Sequence, residues 1–197
     1  MSRIIACAKS ALITNFVPNF VGFGAISRDD VQETHTSDLA VSLFSNFLSD
    51  SVILILDGTY INIQKSSKNK VQRRCYSMHK HRPLVKPMVI VTTTGYIMSI
   101  IGPFFADGKN NDASMLRNIL DKNANGIMDW LQEGDIFILD RGFRDILNSL
   151  EDDGFETKSP SFLPKAEKRL PTSDANQSSL VTEIRRAVEC VNGRRMC

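Results

Sequence analysis

Two aspartates each follow a short apolar run, and both are candidates for chemistry. Asp57 closes the run in VILILDGTY (52–60), and Asp140 closes the run in DIFILDRG (135–142). Short runs rich in Ile and Val are typical of buried strands. Two carboxylates at the same edge of a sheet would repel each other, and a divalent metal between them is the simplest remedy. Without such a cation, we expect the pKa of at least one of them to be raised.

Each aspartate also has a simpler interpretation. An Asp followed by Gly, or by Arg-Gly, is common in turns, where the carboxylate accepts a backbone hydrogen bond. The pattern leaves the turn and the metal site both open. The repetition of the same design at two places favours the metal site.

Charge is unevenly distributed along the chain. The net charge is only +2, yet no Asp or Glu occurs between Gly58 and Ala106. A basic stretch beside a candidate acidic site suggests a polyanionic partner, although it could also be an ordinary solvated loop. For His79 and His81, in the same stretch, a phosphate contact and a structural role are both open. The candidate DNA-binding residues are Lys65, Lys68, Lys70, Arg73, Arg74, Lys80 and Arg82.

Composition and spacing exclude several classes of protein. The 197 residues, 42% of them hydrophobic, suit one main domain with a small appendage. The longest apolar runs fall short of the roughly 20 residues that cross a bilayer, and the four scattered cysteines do not have zinc-ligand or disulfide-framework spacing. LILDGT is similar to the DxDGT motif of haloacid-dehalogenase-like phosphatases, but Ile55 stands where the nucleophilic Asp would be.

The apolar pattern predicts an α/β chain with a helical lead-in over residues 1–50 and a second domain over 51–197. Within the lead-in we expect helices at 1–17 and 29–48. A hairpin turn is expected at Thr94-Gly95, and Asn111 or Asp112 should cap a helix. For the second domain the pattern predicts strands at 52–57 and about 59–63, a basic loop or ragged hairpin at 64–87, a strand hairpin at 88–106, helices at about 112–122 and 124–132, a strand at 136–140, a helix at 143–152, a strand near 155–163 and a loop at 164–179.

The final predicted helix, at 178–193, carries a third acid. Glu189 lies on its flank, where it could pair with Arg185 or Arg186, or could instead reach the edge of the sheet. The apolar residues expected on the helix's buried face are Leu180, Ile184, Val188 and Val191.

This order of elements resembles the ribonuclease-H-like fold of DDE transposases, a mixed five-stranded sheet flanked by helices. The motifs are similar to those of DDE superfamily endonucleases of the PIF/Harbinger type. Several ordered motifs agree, which makes the resemblance specific. The matching segments are DGTYINIQKSS (57–67), YSMHKHRPLVKPMVIVTTTGYI (76–97), GPFFADGKNNDAS (102–114), DIFILDRGFRD (135–145) and RRAVECVNGR (185–194).

The resemblance implies that Asp57, Asp140 and Glu189 form a catalytic triad that binds Mg²⁺ or Mn²⁺. The implied activity is cleavage and strand transfer of DNA phosphodiester bonds, in the nucleus and without a membrane. A homo-oligomer, or a separate DNA-binding protein, is a further expected partner. Asp112 also resembles a family position, where capping a helix is the favoured role and assisting the site is the alternative.

The chain ends at Cys197, sooner after the third acid than such domains usually do, so we expect a truncated domain. The alternative function is therefore a transposon-derived protein that binds DNA or protein without catalysis.

Overall fold

A computed structural model describes residues 3–44, 50–78, 80–161 and 171–194 of the chain. It is an α/β fold in which helices cover both faces of a seven-stranded mixed sheet. His79 and part of the predicted loop at 164–179 lie outside the described residues. No helix in the described ranges is long and apolar enough to cross a membrane.

The bounds of the elements are as follows. The α-helices are α1 (Arg3–Ala11), α2 (Val17–Phe20), α3 (Arg28–His35), α4 (Asp38–Phe44), α5 (Asn69–Cys75), α6 (Asp112–Asp121), α7 (Ile127–Trp130), α8 (Leu147–Asp152) and α9 (Thr172–Arg194). The strands are β1 (Ile53–Gly58), β2 (Ile61–Asn62), β3 (Tyr76–Ser77), β4 (Arg82–Thr92), β5 (Ile97–Phe105), β6 (Ile136–Ile138) and β7 (Glu156–Lys158). A π-helical turn (Leu12–Phe16) joins α1 to α2, and 3₁₀ turns lie at Ala124–Gly126 and Arg141–Ile146.

Strand β1 lies in the middle of the sheet. It pairs with β4 in the antiparallel sense and with β6 in the parallel sense, while β5 lies beyond β4 and β7 beyond β6. The order β5-β4-β1-β6-β7 is that of the ribonuclease-H-like sheet expected from the sequence. Two further strands, β2 and β3, pair with β4 and bring the number to seven instead of five.

Side chains of β1 alternate between two hydrophobic cores. Ile53 and Ile55 pack in the core that α9 covers, and Leu54 and Leu56 pack in the core that α6 covers. Because successive side chains of a strand point to opposite faces, residue 57 continues the row of Ile53 and Ile55 toward α9. The strand therefore delivers Asp57 to the face on which α9 lies.

The basic stretch differs from its prediction. Instead of a loop or ragged hairpin at 64–87, α5 forms within it and β4 begins at Arg82. Two prolines led to the error, because proline usually ends a strand. Pro83 pairs with β3 near the start of β4, and Pro87 lies between Lys86 and Met88, where the pairing with β5 shifts register.

The turn between β4 and β5 confirms its prediction. The amide of Gly95 donates to the carbonyl of Thr92 over 3.0 Å, and Gly95 has φ +84°. A positive φ of this size is readily adopted by glycine and strained for most other residues. Thr94-Gly95 therefore reverses the chain where the β-branched run is interrupted.

The first lead-in helix continues to Phe20, the second is divided into α3 and α4, with residues 45–48 of the prediction outside the described ranges, and the lead-in contributes to the cores. Val31 and Phe23 are buried beside the α6 side of the sheet, and Ala40 and Phe44 beside the α9 side. Helix α9 begins at Thr172, before the predicted residue 178. A domain boundary at residues 50 and 51 stays a prediction.

One residue that was predicted to lie on the buried face of α9 is exposed. Leu180 is 40% exposed, and its neighbour Val181 is buried in its place. With Ile184, Val188 and Val191, this gives apolar spacings of three, four and three. Such spacing follows the 3.6-residue period of a helix, so α9 buries one narrow stripe against β1 and β4.

Candidate active site

The parallel register of β1 and β6 brings Asp57 and Asp140 side by side. Ile53 pairs with Ile136 and Ile55 with Ile138. Continuing the same register by two residues places Asp57 opposite Asp140. Both acids also follow the strand alternation to the α9 face. The arrangement expected from the sequence, two acids at one edge of one sheet, is therefore present, and its use as a metal site stays a prediction.

Helix α9 supplies a cation and an amide to these acids. The Nη2 atom of Arg185 lies 3.5 Å from Oδ1 of Asp57 and 3.8 Å from Oδ2 of Asp140. Two turns further along the helix, Nδ2 of Asn192 donates to Oδ2 of Asp57 over 2.7 Å. The guanidinium thus lies within reach of both aspartates, as a bound cation would.

A third carboxylate, from Asp112, approaches the pair from the start of α6. A Cβ added to Gly142 would lie 2.8 Å from Oδ2 of Asp112 and 2.9 Å from Oδ1 of Asp140. A Cβ added to Gly58 would overlap Oδ1 of Asp112. The glycines that follow the two aspartates therefore give Asp112 the space to come this close.

Capping of α6 does not occupy Asp112. Asn111 is the N-cap, and its Oδ1 accepts the amide hydrogen of Ser114 over 2.7 Å. Asp112 instead faces Nζ of Lys86 at 2.8 Å. The favoured interpretation of Asp112 as the helix cap was therefore wrong, and the neighbouring Asn111 was the correct alternative.

Burial sets the electrostatics of the cluster. Desolvation raises the pKa of Asp57 to about 6, and the charges of Asp140 and Asp112 act in the same direction, while Arg185 opposes them. Desolvation also raises the pKa of Asp112, against the effect of Lys86. A raised pKa was expected from repulsion between two acids, but its main cause is the removal of the carboxylates from water.

Three buried polar atoms lack a hydrogen-bond partner within the described residues, and all three belong to this cluster. They are Oδ1 of Asp112, Nε of Arg185 and Oδ1 of Asn192. Oδ1 of Asp112 is nevertheless in an ion pair with the Lys86 ammonium at 2.8 Å, so Nε of Arg185 and Oδ1 of Asn192 are the two atoms that await a partner. Buried atoms of this kind usually have partners, so their concentration here marks a place where a further ligand would be stabilised.

Asp140 has the turn role that the sequence left open, and its second oxygen still faces the site. Its Oδ1 accepts the amide hydrogen of Gly142 over 2.6 Å and caps the 3₁₀ turn. Its Oδ2 faces Arg185. The turn therefore orients the carboxylate without removing it from the site.

Glu189 is exposed and contacts neither aspartate in the described residues. It also forms no ion pair there, because Arg185 faces the aspartates and Arg186 pairs with Glu183 at 2.9 Å. At about 100° per residue, Glu189 lies about 50° around the helix from the direction shared by Arg185 and Asn192. Its assignment as the third catalytic acid stays a prediction.

All seven basic residues predicted to bind DNA are exposed, but they differ in their surroundings. Arg74 is held by Asp107 at 3.0 Å and by the ring of Phe105, whose centroid lies 4.0 Å from its guanidinium carbon. Arg73 lines a cavity of about 700 Å³ that extends to Asp112 and Gly142. The remaining five, all exposed, are Lys65, Lys68, Lys70, Lys80 and Arg82.

Lys86, the other cation of the acid-free stretch, is buried. Its ammonium lies 5.4 Å from the centroid of the Tyr60 ring in addition to its contact with Asp112. Its charge therefore offsets part of the negative charge of the acidic cluster. The sequence alone did not indicate this role. Tyr60 and Tyr76, whose rings are partly exposed, line the 700 Å³ cavity.

The donor set at the ends of β1 and β6 fits a hard divalent cation. The carboxylates of Asp57, Asp112 and Asp140 lie close enough to interact electrostatically, and the amide oxygen of Asn192 is buried without a partner. Carboxylate and amide oxygens are ligands that Mg²⁺ and Mn²⁺ prefer. As the side chains stand, the described residues contain no group of three His, Cys, Asp or Glu arranged to hold one ion. Arg185 instead lies beside both aspartates.

Comparison with known proteins gives one match. A family model described as DDE superfamily endonuclease matches residues 56–197, which include the whole acidic cluster and α9. No curated protein and no solved structure matches the chain.

Proposed function

Because this chain belongs to the DDE superfamily endonucleases, we propose that it cleaves DNA phosphodiester bonds, and transfers the cut strand, with the aid of Mg²⁺ or Mn²⁺. The observation that carries the proposal is the convergence of Asp57 and Asp140 on one guanidinium. Two carboxylates that share a cation in a partly desolvated site have the charge and the spacing to share a metal ion instead.

Asp57 and Asp140 are the residues that would hold the metal, with Glu189 as the third acid that the family resemblance supplies. When bound there, divalent ions lower the pKa of an attacking water or hydroxyl and shield the charge on the leaving oxygen. Asp57 is fixed by its strand and by Asn192, and Asp140 by its hydrogen bond from Gly142. The acids are thus oriented before any ligand binds, which reduces the cost of assembling the site.

DNA as the substrate is supported by the surface next to the acids. Arg73 lines the cavity that ends at Asp112 and Gly142, so a phosphate held by Arg73 would belong to a strand that reaches the site. Exposed lysines and arginines position nucleic acid through its phosphates without reading its sequence. We therefore expect binding with little sequence preference.

The segments that resemble the family motifs, at 57–67, 76–97, 102–114, 135–145 and 185–194, also suggest a type, a location and partners. They favour the PIF/Harbinger type, a location in the nucleus, and action as a homo-oligomer or with a separate DNA-binding protein.

The test is a nicking assay on supercoiled plasmid DNA. Wild type should nick in Mg²⁺ or Mn²⁺ and should not nick in EDTA, and Asp57→Asn and Asp140→Asn should lose nicking while they still bind DNA. Asp145→Asn, an exposed change on the turn after β6, is the matched control and should nick as wild type does. Metal-independent nicking, or full activity in either site variant, would show that the proposal is wrong.

A second candidate is a transposon-derived protein that binds DNA or protein without catalysis. It is favoured by the position of Arg185, whose charge already offsets part of the charge of the two aspartates, and by the exposure of Glu189. Folded wild type that binds DNA but does not nick it in either metal would support this candidate.

A further inference from the structure

The acidic cluster contains its own cations. Arg185 lies beside Asp57 and Asp140, and Lys86 lies beside Asp112. Three carboxylates and two cations leave one negative charge in excess. If a divalent cation took the place of the guanidinium, the cluster would be neutral, so the exchange would improve its charge balance.

Asn192 provides an independent sign that this place receives a ligand. It is only 8% exposed, its Nδ2 touches Asp57, and its Oδ1 has no partner. A buried amide oxygen without a partner is costly. Beside an ion bound by Asp57, the carboxamide could turn its oxygen toward the charge and satisfy that atom.

From these contacts we infer that a divalent cation binds this chain by displacing Arg185, and that Asp112 and Asn192 complete its oxygen ligands beside Asp57 and Asp140. Arg185 is a resident counter-ion that offsets part of the negative charge of the acids until the metal arrives. Lys86 stays with Asp112 and limits the total charge. The inference rests on the proposed function for the use of a metal, and it adds which residues take the metal and what it must displace.

Glu189 is not needed for this binding step. It is exposed and lies about 50° around the helix from Arg185 and Asn192, so the free chain should load the ion without it. Its predicted role would come later, in cleavage. Two acids thus have different roles: Glu189 is the third acid of the family motif, and Asp112 is the third acid beside Asp57 and Asp140 in the structure.

Mn²⁺ binding to the full chain, measured by the loss of the free Mn²⁺ electron paramagnetic resonance signal, tests the inference without any activity. Arg185→Gln should lower the Mn²⁺ Kd by at least about tenfold, because it removes a positive charge from a partly buried site. Arg185→Lys keeps the charge and should stay near wild type. Arg186→Gln, in the next position and paired with Glu183, is the matched control and should not change the Kd.

The ligand assignments have their own variants. Asp112→Asn and Asn192→Ala should each raise the Mn²⁺ Kd by about tenfold or more, and Glu189→Gln should leave it unchanged; circular dichroism verifies that each variant is folded. The inference is overturned if Arg185→Gln binds Mn²⁺ no more tightly than wild type, or if Asp112→Asn binds as wild type does. The proposed function would survive that outcome if Asp57→Asn and Asp140→Asn still abolished Mn²⁺ binding.

Discussion

Replacing Asp57 by Asn should stabilise the metal-free protein at neutral pH. Burial raises the pKa of this carboxyl from 3.8 to about 6, even though Arg185 lies nearby. The folded state therefore holds the proton more tightly than the unfolded chain. As a result, the stability that Asp57 contributes is complete below about pH 4 and is lost as the pH rises toward 6. Asn has nearly the same shape and no charge, so it escapes this loss.

The size of the effect follows from the shift. Each pKa unit corresponds to about 1.4 kcal/mol, so a shift of about two units gives about 3 kcal/mol above pH 6. Because the side chain of Asp57 is 21% exposed, we lower this to about 2–3 kcal/mol. In a chain of this length each kcal/mol shifts the Tm by about 2–4 °C, so the expected gain is about 5–10 °C.

Differential scanning calorimetry in EDTA at pH values from 4 to 8 measures this difference. The Tm of Asp57→Asn should exceed that of wild type by a margin that opens between pH 4 and 6 and is constant above. Asp145→Asn, at an exposed site, should follow wild type at every pH. A difference in Tm that does not change with pH, or a variant that melts below wild type at pH 7, would refute the claim that burial raises the pKa of Asp57.

Two further outcomes are expected. Asp135 is fully buried and accepts hydrogen bonds from both terminal nitrogens of Arg28 at 2.7 Å. Asp135→Asn should therefore lower the free energy of unfolding, measured in urea, by about 3–5 kcal/mol. A loss below about 1 kcal/mol would mean that the pair does not fix the lead-in to the sheet. DNA affinity of wild type should fall on the order of a thousandfold between 50 and 200 mM salt if about six phosphates are contacted. Neutralising Arg73, Lys80 and Arg82 together should reduce the slope of log affinity against log salt concentration by about 2.7. Arg74→Gln should change this slope little, because Arg74 is already held by Asp107. An unchanged slope in the triple variant would mean that this surface faces away from DNA.

The two aspartates were predictable from the sequence for a physical reason. A short apolar run that ends in an acid specifies a buried strand with its carboxylate at the edge, and the period of two fixes which face that carboxylate takes. Ile53, Ile55 and Asp57 lie on one face of β1, and the parallel pairing with β6 then brings Asp140 beside them. The two strands and their terminal acids could therefore be inferred from local patterns, whereas the order of the whole sheet was implied by the family resemblance.

The rest of the site depends on contacts between distant segments. Nothing local distinguishes Asp112 from its neighbour Asn111 as a helix cap, and only the packing of α6 against the turn after β6 turns Asp112 toward Asp140. In the sequence, Lys86 does not differ from the exposed cations near it, and only its place in the sheet buries it. The sequence signal that could have identified Asp112 is the glycine after each aspartate, which removes the side chain that would block its approach.

Helix α9 shows the same limit. Its apolar period predicted three of the four buried residues, and only Leu180 is replaced, by its neighbour Val181. The position of this face against β1 and β4, which the local sequence does not give, decides which polar residues of α9 meet the acids. It presents Arg185 and Asn192 to Asp57 and leaves Glu189 exposed.

The most direct test of the metal site is anomalous diffraction at the manganese edge from crystals of the full chain grown with Mn²⁺. We predict an anomalous peak in contact with the carboxylates of Asp57 and Asp140, with the Arg185 guanidinium moved away from them. A crystal in which Arg185 keeps its contacts with both aspartates, and Mn²⁺ is found elsewhere or nowhere, would contradict the assignment of these acids as the metal site.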